Sequence, residues 1–312
     1  MFFQKIKYLL HPFESIANIV NSQSIGAKTL LHQKLFEQRA NFLTKKVFQS
    51  TAPGISSEIF GEEEIIVSLT SYGQRVYDVY LAIESIMQGT IKPNRIILWL
   101  SDEEFSKKAL PQTLQNQMKR GLEIRFCKDI KSYKKIFFSL KEFPEACIIT
   151  IDDDLIYNID LVKNLVNSHK KNPNCIWANR IHEMTFDKNK QIKSYLQWNW
   201  NSKTGSDDTK NNFFTSGGGT LFPPHSLHNE VFNEETFMAI CPTADDVWLN
   251  AMARLNHTKI LKSFTHEPGG DDFLVNEPLQ AQGLGVTNNN PINCKNDTQI
   301  KSVFEKYNIL IH

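Results

Sequence analysis

The chain has 312 residues, and its 35 lysines and arginines nearly balance its 34 aspartates and glutamates. This length accommodates one large globular domain, or one domain with an extension, and the balanced charge excludes the strongly basic composition of a protein that binds nucleic acid through its phosphates. The five cysteines form no CxxC pair, which argues against a disulfide framework or a structural zinc site and favours a reducing cytoplasm.

Residues 1–60 are predicted to form a helical extension. Apolar side chains between Phe2 and Val20 recur at helix-like spacing among basic and polar residues. Such a face suits a membrane surface or a partner protein, and an arm packed on the protein's own core fits the pattern equally well. We expect neither a membrane-spanning segment nor a signal peptide. The predicted location is therefore cytoplasmic, with residues 1–60 as the candidate for peripheral contact with the inner face of the membrane.

Residues 61–312 are predicted to form a single α/β domain. Apolar strands alternate with helical patterns through the first half of this region, and the strands are expected at residues 65–69, 95–100, 122–126 and 146–151. Such alternation predicts a mainly parallel sheet with helices on both faces. Functional loops should then lie at the carboxyl ends of the strands.

Three consecutive carboxylates, Asp152, Asp153 and Asp154, follow the fourth predicted strand directly. Like charges this close raise one another's pKa unless a cation shares the site, and hard oxygen ligands favour Mg²⁺ or Mn²⁺. Such an ion would neutralise the charge that develops on a departing diphosphate. The alternative is a solvated acidic turn that caps the following helix.

Several ordered blocks of the sequence resemble the bacterial glycosyltransferases of the GT-A fold that add sugars to lipopolysaccharide or capsular glycans. Residues 66–75 are similar to the first strand and nucleotide-binding loop of that family, residues 132–136 to its donor-side lysine segment, and residues 149–154 to the strand that ends in its DxD motif. The likeness extends over about residues 64–262. It implies a GT-A-like, Rossmann-like domain that uses Mn²⁺ or Mg²⁺, a nucleotide-sugar donor and a glycan or lipid-linked glycan acceptor.

The resemblance also implies roles for individual residues of the donor site. Asp152 and Asp154 match the carboxylates that hold the metal, with Tyr72 expected near the base and Arg75 near a phosphate. Solvated surface charge is the alternative for Arg75 and Lys135, and a plain turn is the alternative for the glycine-rich segment. The implied donor-binding residues are Thr70, Ser71, Tyr72, Arg75, Lys135, Asp152, Asp153, Gly218 and Gly219.

A second acidic pair, Asp245 and Asp246, opens a predicted helix. Aspartates commonly cap helix N-termini, but inverting members of the family carry an acidic pair here whose second member is the general base. Asp246 matches that base, and Asp245 stands where glutamate is usual. A carboxylate suits the removal of a proton from a hydroxyl that attacks opposite the leaving phosphate. His266 matches a histidine that completes the metal shell in some members, although a lone histidine is more often structural or exposed.

Two tryptophans, Trp198 and Trp200, are candidates for an acceptor cleft. Sugars stack on indole faces, yet tryptophan in a globular domain is more often buried. The sequence leaves both interpretations open.

Two rival functions stay open at this point. A phosphohydrolase of the haloacid dehalogenase type would use Asp152 as a phosphorylated nucleophile, although that family places its motif on the first strand of its domain. A non-catalytic glycan-binding protein would keep the fold without turnover. Assays on simple phosphate esters, and nucleotide binding without turnover, distinguish these rivals from a transferase.

Overall fold

The computed structural model describes residues 25–59, 62–105, 109–205, 209–263, 273–281 and 283–309. The strands are β1 (Ile65–Thr70), β2 (Arg95–Ser101), β3 (Leu122–Cys127), β4 (Cys147–Thr150), β5 (Leu155–Tyr157), β6 (Ile176–Ala178), β7 (Ile181–Glu183), β8 (Asn212–Phe214), β9 (Thr220–Phe222), β10 (Ile260–Lys262) and β11 (Phe273–Val275). The α-helices are α1 (Ile25–Gln49), α2 (Tyr80–Met87), α3 (Asp102–Phe105), α4 (Gln112–Met118), α5 (Lys134–Glu142), α6 (Leu161–Lys171), α7 (Glu234–Ile240), α8 (Asp245–Leu255), α9 (Glu277–Gln280), α10 (Leu284–Asn288) and α11 (Lys295–Lys306).

Seven strands form the central sheet, in the order β10-β6-β9-β4-β1-β2-β3. Six of them run parallel, and β9 runs antiparallel between β4 and β6. The predicted α/β class with a mainly parallel sheet is therefore confirmed. Because the carboxyl ends of the six parallel strands share one edge, the loops that follow them gather on the same side of the molecule.

Helices cover both faces of the sheet because its central strands are apolar on both sides. Ile66 and Ile148 point to the face covered by α5, where they pack near Phe138. Val67 and Ile149, the next residues along the two strands, point to the opposite face and pack with α2 and α6. The near-continuous apolar sequence of β1 and β4 is thus explained by burial on two sides.

Helix α1 is the described part of the predicted N-terminal extension, and it packs on the domain itself. Leu43 is fully buried in a cluster with Leu81 of α2 and Leu274 of β11. The side chain of Thr44 also forms a hydrogen bond of 2.9 Å with that of Tyr80. Residues 1–24 lie outside the described part of the chain, so contact of residues 1–60 with a membrane stays a prediction. None of the described helices is long and apolar enough to cross a bilayer.

A buried ion pair joins α2 to the end of α4. Glu84 is completely buried, and both of its carboxylate oxygens accept hydrogen bonds of 2.9 Å from the Nη1 atom of Arg120. Arg120→Ala would leave the buried carboxylate with the amide hydrogen bonds of Gln88 and Gln117 and the charge of Arg39. We therefore expect the free energy of unfolding to fall by about 3 kcal/mol, the lower end for a broken buried ion pair. Urea denaturation followed by tryptophan fluorescence measures the loss. Lys301→Ala, which removes an exposed partner of Glu305, should change the stability little; equal stability of the two variants would contradict the prediction.

Candidate functional site

A cleft of about 680 Å³ opens at the carboxyl edge of the sheet. It is bounded by the loops that follow β1, β3, β4 and β6, by the N-termini of α5 and α8, and by the segment from residue 280 to residue 296. The two acidic groups predicted from the sequence, residues 152–154 and residues 245–246, both line it. One cavity therefore joins chain segments about ninety residues apart.

The loop after β1 holds the middle carboxylate of the acidic run. Asp153 accepts a hydrogen bond of 2.6 Å from the Ser71 hydroxyl and two of 3.0 Å from Nε of Arg75. The same guanidinium donates to Asp154 at 2.7 Å and to the backbone oxygen of Leu279 at 2.9 Å. Asp153 and Asp154 together raise the pKa of Arg75 above its usual value, despite the opposing effect of burial. Arg75 therefore neutralises part of the acidic run and ties it to α9.

Only one of the two carboxylate oxygens of Asp154 has hydrogen-bond partners among the described residues. Its Oδ2 accepts hydrogen bonds from Arg75 and, at 2.9 Å, from the side chain of Gln280. Its Oδ1 is buried and has no hydrogen-bond partner among the described residues. Burial, together with the charges of Asp152 and Asp153, raises the pKa of Asp154 to about 6. An unsatisfied buried carboxylate oxygen is costly, and a cation in the cleft would satisfy it.

The carboxylate oxygens of residues 152–154 do not form a three-ligand cluster in the described part of the chain. In the described part of the chain, one set of three side chains brings His, Cys or carboxylate ligand atoms within 4.8 Å of one another, namely Glu63, Cys147 and His169. That set lies at the opposite edge of the sheet, because Cys147 begins β4 while the acidic run follows its end. Mg²⁺ is usually held by one or two carboxylates, with waters and substrate phosphates completing its shell. The residues present fit a cation of this kind.

Lys135, at the start of α5, connects the two acidic groups. Its ammonium lies 2.7 Å from Oδ1 of Asp152 and 3.1 Å from Oδ2 of Asp245. The side chain is almost fully buried, and these carboxylates raise its pKa although burial opposes the charge. Burial likewise opposes ionisation of Asp152, but Lys135 outweighs it and lowers the pKa of that carboxyl. A single buried cation is thus shared by the two halves of the cleft.

Asp246 is oriented through one oxygen only. Its Oδ1 accepts hydrogen bonds from the backbone N–H of Ser216 at 2.8 Å and from the Ser216 hydroxyl at 2.5 Å. Its Oδ2 accepts none from the described residues. Burial and the neighbouring charge of Asp245 raise the pKa of Asp246 to about 6, against the opposing effects of Lys135 and Ser216. The carboxylate is therefore fixed in place, keeps a free oxygen, and has the proton affinity expected of a general base.

The glycine-rich segment lies behind the acidic run. Gly219 has φ +94°, a conformation that side chains disfavour, and a Cβ on Gly218 would lie 2.6 Å from Cβ of Arg180. The closest approach belongs to Gly217, where a Cβ would lie 1.7 Å from Oδ2 of Asp152. The sequence pointed to Gly218 and Gly219, whereas the structure places Gly217 directly against the carboxylate.

Gly217→Ala should displace the carboxylate of Asp152, because the added methyl group would occupy the position of its Oδ2 atom. We expect activity to fall by about 100-fold or more, since a shift of about 1 Å at a reacting site has effects of that size. Steady-state turnover measures the fall. Ser57→Ala is the control, because that side chain is exposed and lies outside the cleft. Similar activity in the two variants would contradict the assigned role of Gly217.

The predicted site residues divide into three groups. Residues that line the cleft are Thr70, Tyr72, Arg75, Lys135, Asp152, Asp153, Asp154, Asp245 and Asp246. Ser71, Gly218 and Gly219 lie behind its wall. His266 lies outside the described residues. The Thr70 hydroxyl donates to the backbone oxygen of Trp99 at 2.8 Å, and Tyr72 is exposed, with its ring 5.3 Å from the guanidinium carbon of Arg75.

Three further lining residues, Arg180, His182 and Tyr195, were missed in the sequence. Arg180 lies two residues after the end of β6, and its Nε donates to the Thr215 hydroxyl. Its terminal nitrogens donate to no described residue, and its charge helps to lower the pKa of Asp152. The rule that loops after parallel strands carry function could have found it, but β6 has only three residues and no visible periodicity.

No protein-family model and no curated protein matches the chain. Several solved structures are similar to it. HddC from Yersinia pseudotuberculosis matches with TM-score 0.33 and 12% identity over 52% of this chain and 77% of that chain. A CMP:2-keto-3-deoxy-manno-octonic acid synthetase complexed with CTP matches with TM-score 0.36 and 10% identity, over 71% of this chain and 97% of that chain. Glucosyl-3-phosphoglycerate synthase from Mycobacterium tuberculosis matches with TM-score 0.29 and 16% identity, over 39% of this chain and 47% of that chain. That structure is in complex with Mn²⁺, uridine-diphosphate and phosphoglyceric acid. Likeness at this level assigns no activity to the chain.

Proposed function

We propose that the protein is a metal-dependent glycosyltransferase of the GT-A type, which transfers a sugar from a nucleotide donor to a glycan acceptor. The observation that supports this most is the pair of acidic groups facing one cleft, with Lys135 bonded to Asp152 on one side and Asp245 on the other. Inverting sugar transfer uses two such centres, one for the donor diphosphate and one for the acceptor hydroxyl. Lipopolysaccharide or capsular glycans, free or lipid-linked, are the proposed acceptors.

The donor side is assigned to the acidic run. Asp154, through its unpaired Oδ1, and Asp152 would hold Mn²⁺ or Mg²⁺. When bound, the ion supplies Lewis-acid stabilisation of the diphosphate that leaves. The terminal nitrogens of Arg180 add positive charge beside Asp152. They can donate two parallel hydrogen bonds to two oxygens of a phosphate. Ser71 and Arg75 hold Asp153 and thereby fix the backbone of the run.

The acceptor side is assigned to Asp246. Its free Oδ2 takes the proton of the acceptor hydroxyl while that oxygen forms a bond to the anomeric carbon of the donor sugar. The bond from the anomeric carbon to the phosphate oxygen breaks, and its electron pair leaves with the nucleoside diphosphate. Ser216 keeps Oδ1 occupied, so the carboxylate cannot turn away from the hydroxyl. A base of this kind is required when attack inverts the anomeric centre, and we therefore propose inversion.

A donor screen tests the proposal. The purified full-length chain is incubated with a panel of nucleotide sugars and short glycoside acceptors in Mn²⁺ or Mg²⁺, and released nucleoside diphosphate is measured. We expect release with one donor class, suppression by a chelator, and a product of inverted anomeric configuration by NMR. Hydrolysis of simple phosphate esters without any use of nucleotide sugars would replace the proposal with a phosphohydrolase. Nucleotide-sugar binding with no turnover would favour a glycan-binding protein.

A further inference from the structure

Three aromatic side chains form one wall of the cleft, and we call His182, Tyr195 and Trp200 the aromatic wall. The rings of His182 and Trp200 are stacked, with centroids 5.0 Å apart and planes at 14°. Tyr195 meets the indole of Trp200 edge-on at 5.2 Å. The Nε1 atom of Trp200 donates to the backbone oxygen of Tyr195 at 2.9 Å. The indole is therefore held in one orientation before any ligand arrives.

Trp200 lines the cleft and is exposed, unlike Trp198 two residues before it. Its exposed fraction is 39%, whereas Trp198 is only 5% exposed and is packed against Phe213 in the core. Because His182 covers one face of the Trp200 indole, the exposed area belongs to the rest of the ring. An indole fixed by a hydrogen bond and left bare in a polar cleft is a stacking surface for an apolar ligand face.

His182 presents a hydrogen-bond donor of known position. Burial and the nearby charge of Arg180 lower the pKa of His182 to about 3, so the imidazole is neutral at physiological pH. Its Nδ1 accepts a hydrogen bond of 3.1 Å from the backbone N–H of Asn201. With Nδ1 as the acceptor, the ring proton resides on Nε2, and the backbone of Ile181 is a further polar neighbour of the ring. The imidazole is almost fully buried, and it adds an N–H group to the wall beside the stacking surface.

Tyr195 links the aromatic wall to the proposed base. Its hydroxyl has no hydrogen-bond partner among the described residues, and the side chain lines the cleft. Burial and the negative charge of Asp246 raise its pKa above the usual value. The phenol therefore stays protonated within electrostatic reach of Asp246. A stacking face, two polar aromatic side chains that are almost fully buried, and a base therefore line the same cavity.

We propose that the aromatic wall binds the terminal pyranose of the acceptor, with an apolar face of the sugar ring stacked on Trp200. Sugar hydroxyls accept from Nε2–H of His182 and bond to the Tyr195 hydroxyl, which turns the reacting hydroxyl toward Oδ2 of Asp246. This assignment rests on the proposed function, because it takes Asp246 as the base. A pyranose fits better than a nucleobase, because the negative charge that acts on Tyr195 is that of Asp246 and not that of residues 152–154.

Acceptor kinetics of Trp200→Ala and Trp200→Phe, with methyl and nitrophenyl pyranosides as probes, test the subsite. We expect Trp200→Ala to raise the acceptor KM by about 10-fold or more, and Trp200→Phe to recover much of the loss. His182→Phe keeps an aromatic ring without the N–H group and should raise the acceptor KM by several-fold. Leu196→Ala, which removes an equally exposed side chain outside the cleft, should leave it unchanged.

Donor hydrolysis in the absence of acceptor separates the two proposals. Release of nucleoside diphosphate to water, and the donor KM, should be the same in native protein and in Trp200→Ala. If the native protein neither hydrolyses nor binds any nucleotide sugar, the proposed function fails. If it does, and the acceptor KM of Trp200→Ala is unchanged, the subsite is wrong. A rise in donor KM alone would assign Trp200 to the nucleobase and would likewise overturn the inference.

Discussion

Asp246→Asn is expected to remove sugar transfer while donor binding persists. The substitution preserves the shape of the side chain, and an oxygen can still accept the hydrogen bonds from Ser216. It removes the only proton acceptor that we assign to the acceptor hydroxyl, so turnover should fall by about 10²–10⁴-fold, the usual contribution of a general base. Calorimetric titration with nucleoside diphosphate and Mn²⁺ should give an unchanged affinity.

The pH dependence of kcat/KM in the native protein also tests the role of Asp246 as the base. Because the pKa of Asp246 is raised to about 6, the fraction of ionised base, and with it kcat/KM, should rise as the pH increases through about 6. With Mn²⁺ at saturation, so that the carboxylate of Asp154 stays ionised, the residual activity of Asp246→Asn should lack this step. Asp187→Asn, which changes a turn aspartate that binds backbone N–H groups away from the cleft, should keep both the step and the activity.

Stability measurements would show whether misfolding causes the loss of turnover in Asp246→Asn. A carboxyl whose pKa is raised in the folded state stabilises the fold below its usual pKa of 3.8, and this contribution is lost as the pH rises through about 6. Asp246→Asn should therefore be at least as stable as the native protein at pH 7, and its advantage should shrink toward pH 4. Full transfer activity in this variant would show that another group accepts the proton.

Asp154→Ala should abolish metal-dependent turnover. The substitution deletes the buried Oδ1 that has no partner among the described residues, and with it the oxygen we assign to the cation. Loss of several kcal/mol of charge stabilisation corresponds to a fall of roughly 100-fold or more in kcat/KM. Binding of Mn²⁺ in the presence of nucleoside diphosphate, followed by calorimetry, should weaken in parallel.

A nearby aspartate supplies the comparison for this prediction. Asp160 precedes α6 and accepts a hydrogen bond of 2.6 Å from the Thr90 hydroxyl, outside the cleft. Asp160→Ala should retain Mn²⁺ affinity, even if it lowers stability. Two observations would contradict the metal role of Asp154: unchanged Mn²⁺ affinity in Asp154→Ala, or native turnover in a thoroughly chelated sample.

The sequence located the acidic centres because strand order controls where loops meet. Asp152 follows a buried parallel strand, and the carboxyl ends of such strands share an edge whatever the intervening sequence. Asp246 could be placed in the same cavity only through a family resemblance, since it begins a helix rather than following a strand. The structure brings both to one cleft.

Contacts between distant segments could not be read from the sequence. A phosphate near Arg75 stays a prediction, and the structure adds what the sequence could not show: the guanidinium binds Asp153, Asp154 and a backbone oxygen more than two hundred residues further along the chain. The neutral state of His182 depends on burial among side chains from other elements, which no local pattern encodes. Likewise, three adjacent glycines look alike in sequence, and only the packing shows that Gly217 meets Asp152.

The position of Lys135 between Asp152 and Asp245 has a consequence for the order of events. A bound diphosphate would compete for the ammonium and draw its positive charge away from the second pair. Asp246 would then hold a proton more strongly, and so become a better base, only after the donor has arrived. The pH step in kcat, which reports the donor complex, should therefore lie at higher pH than the step in kcat/KM, which reports the free protein. The shared charge of Lys135 would in this way limit deprotonation of the acceptor hydroxyl while no donor is bound.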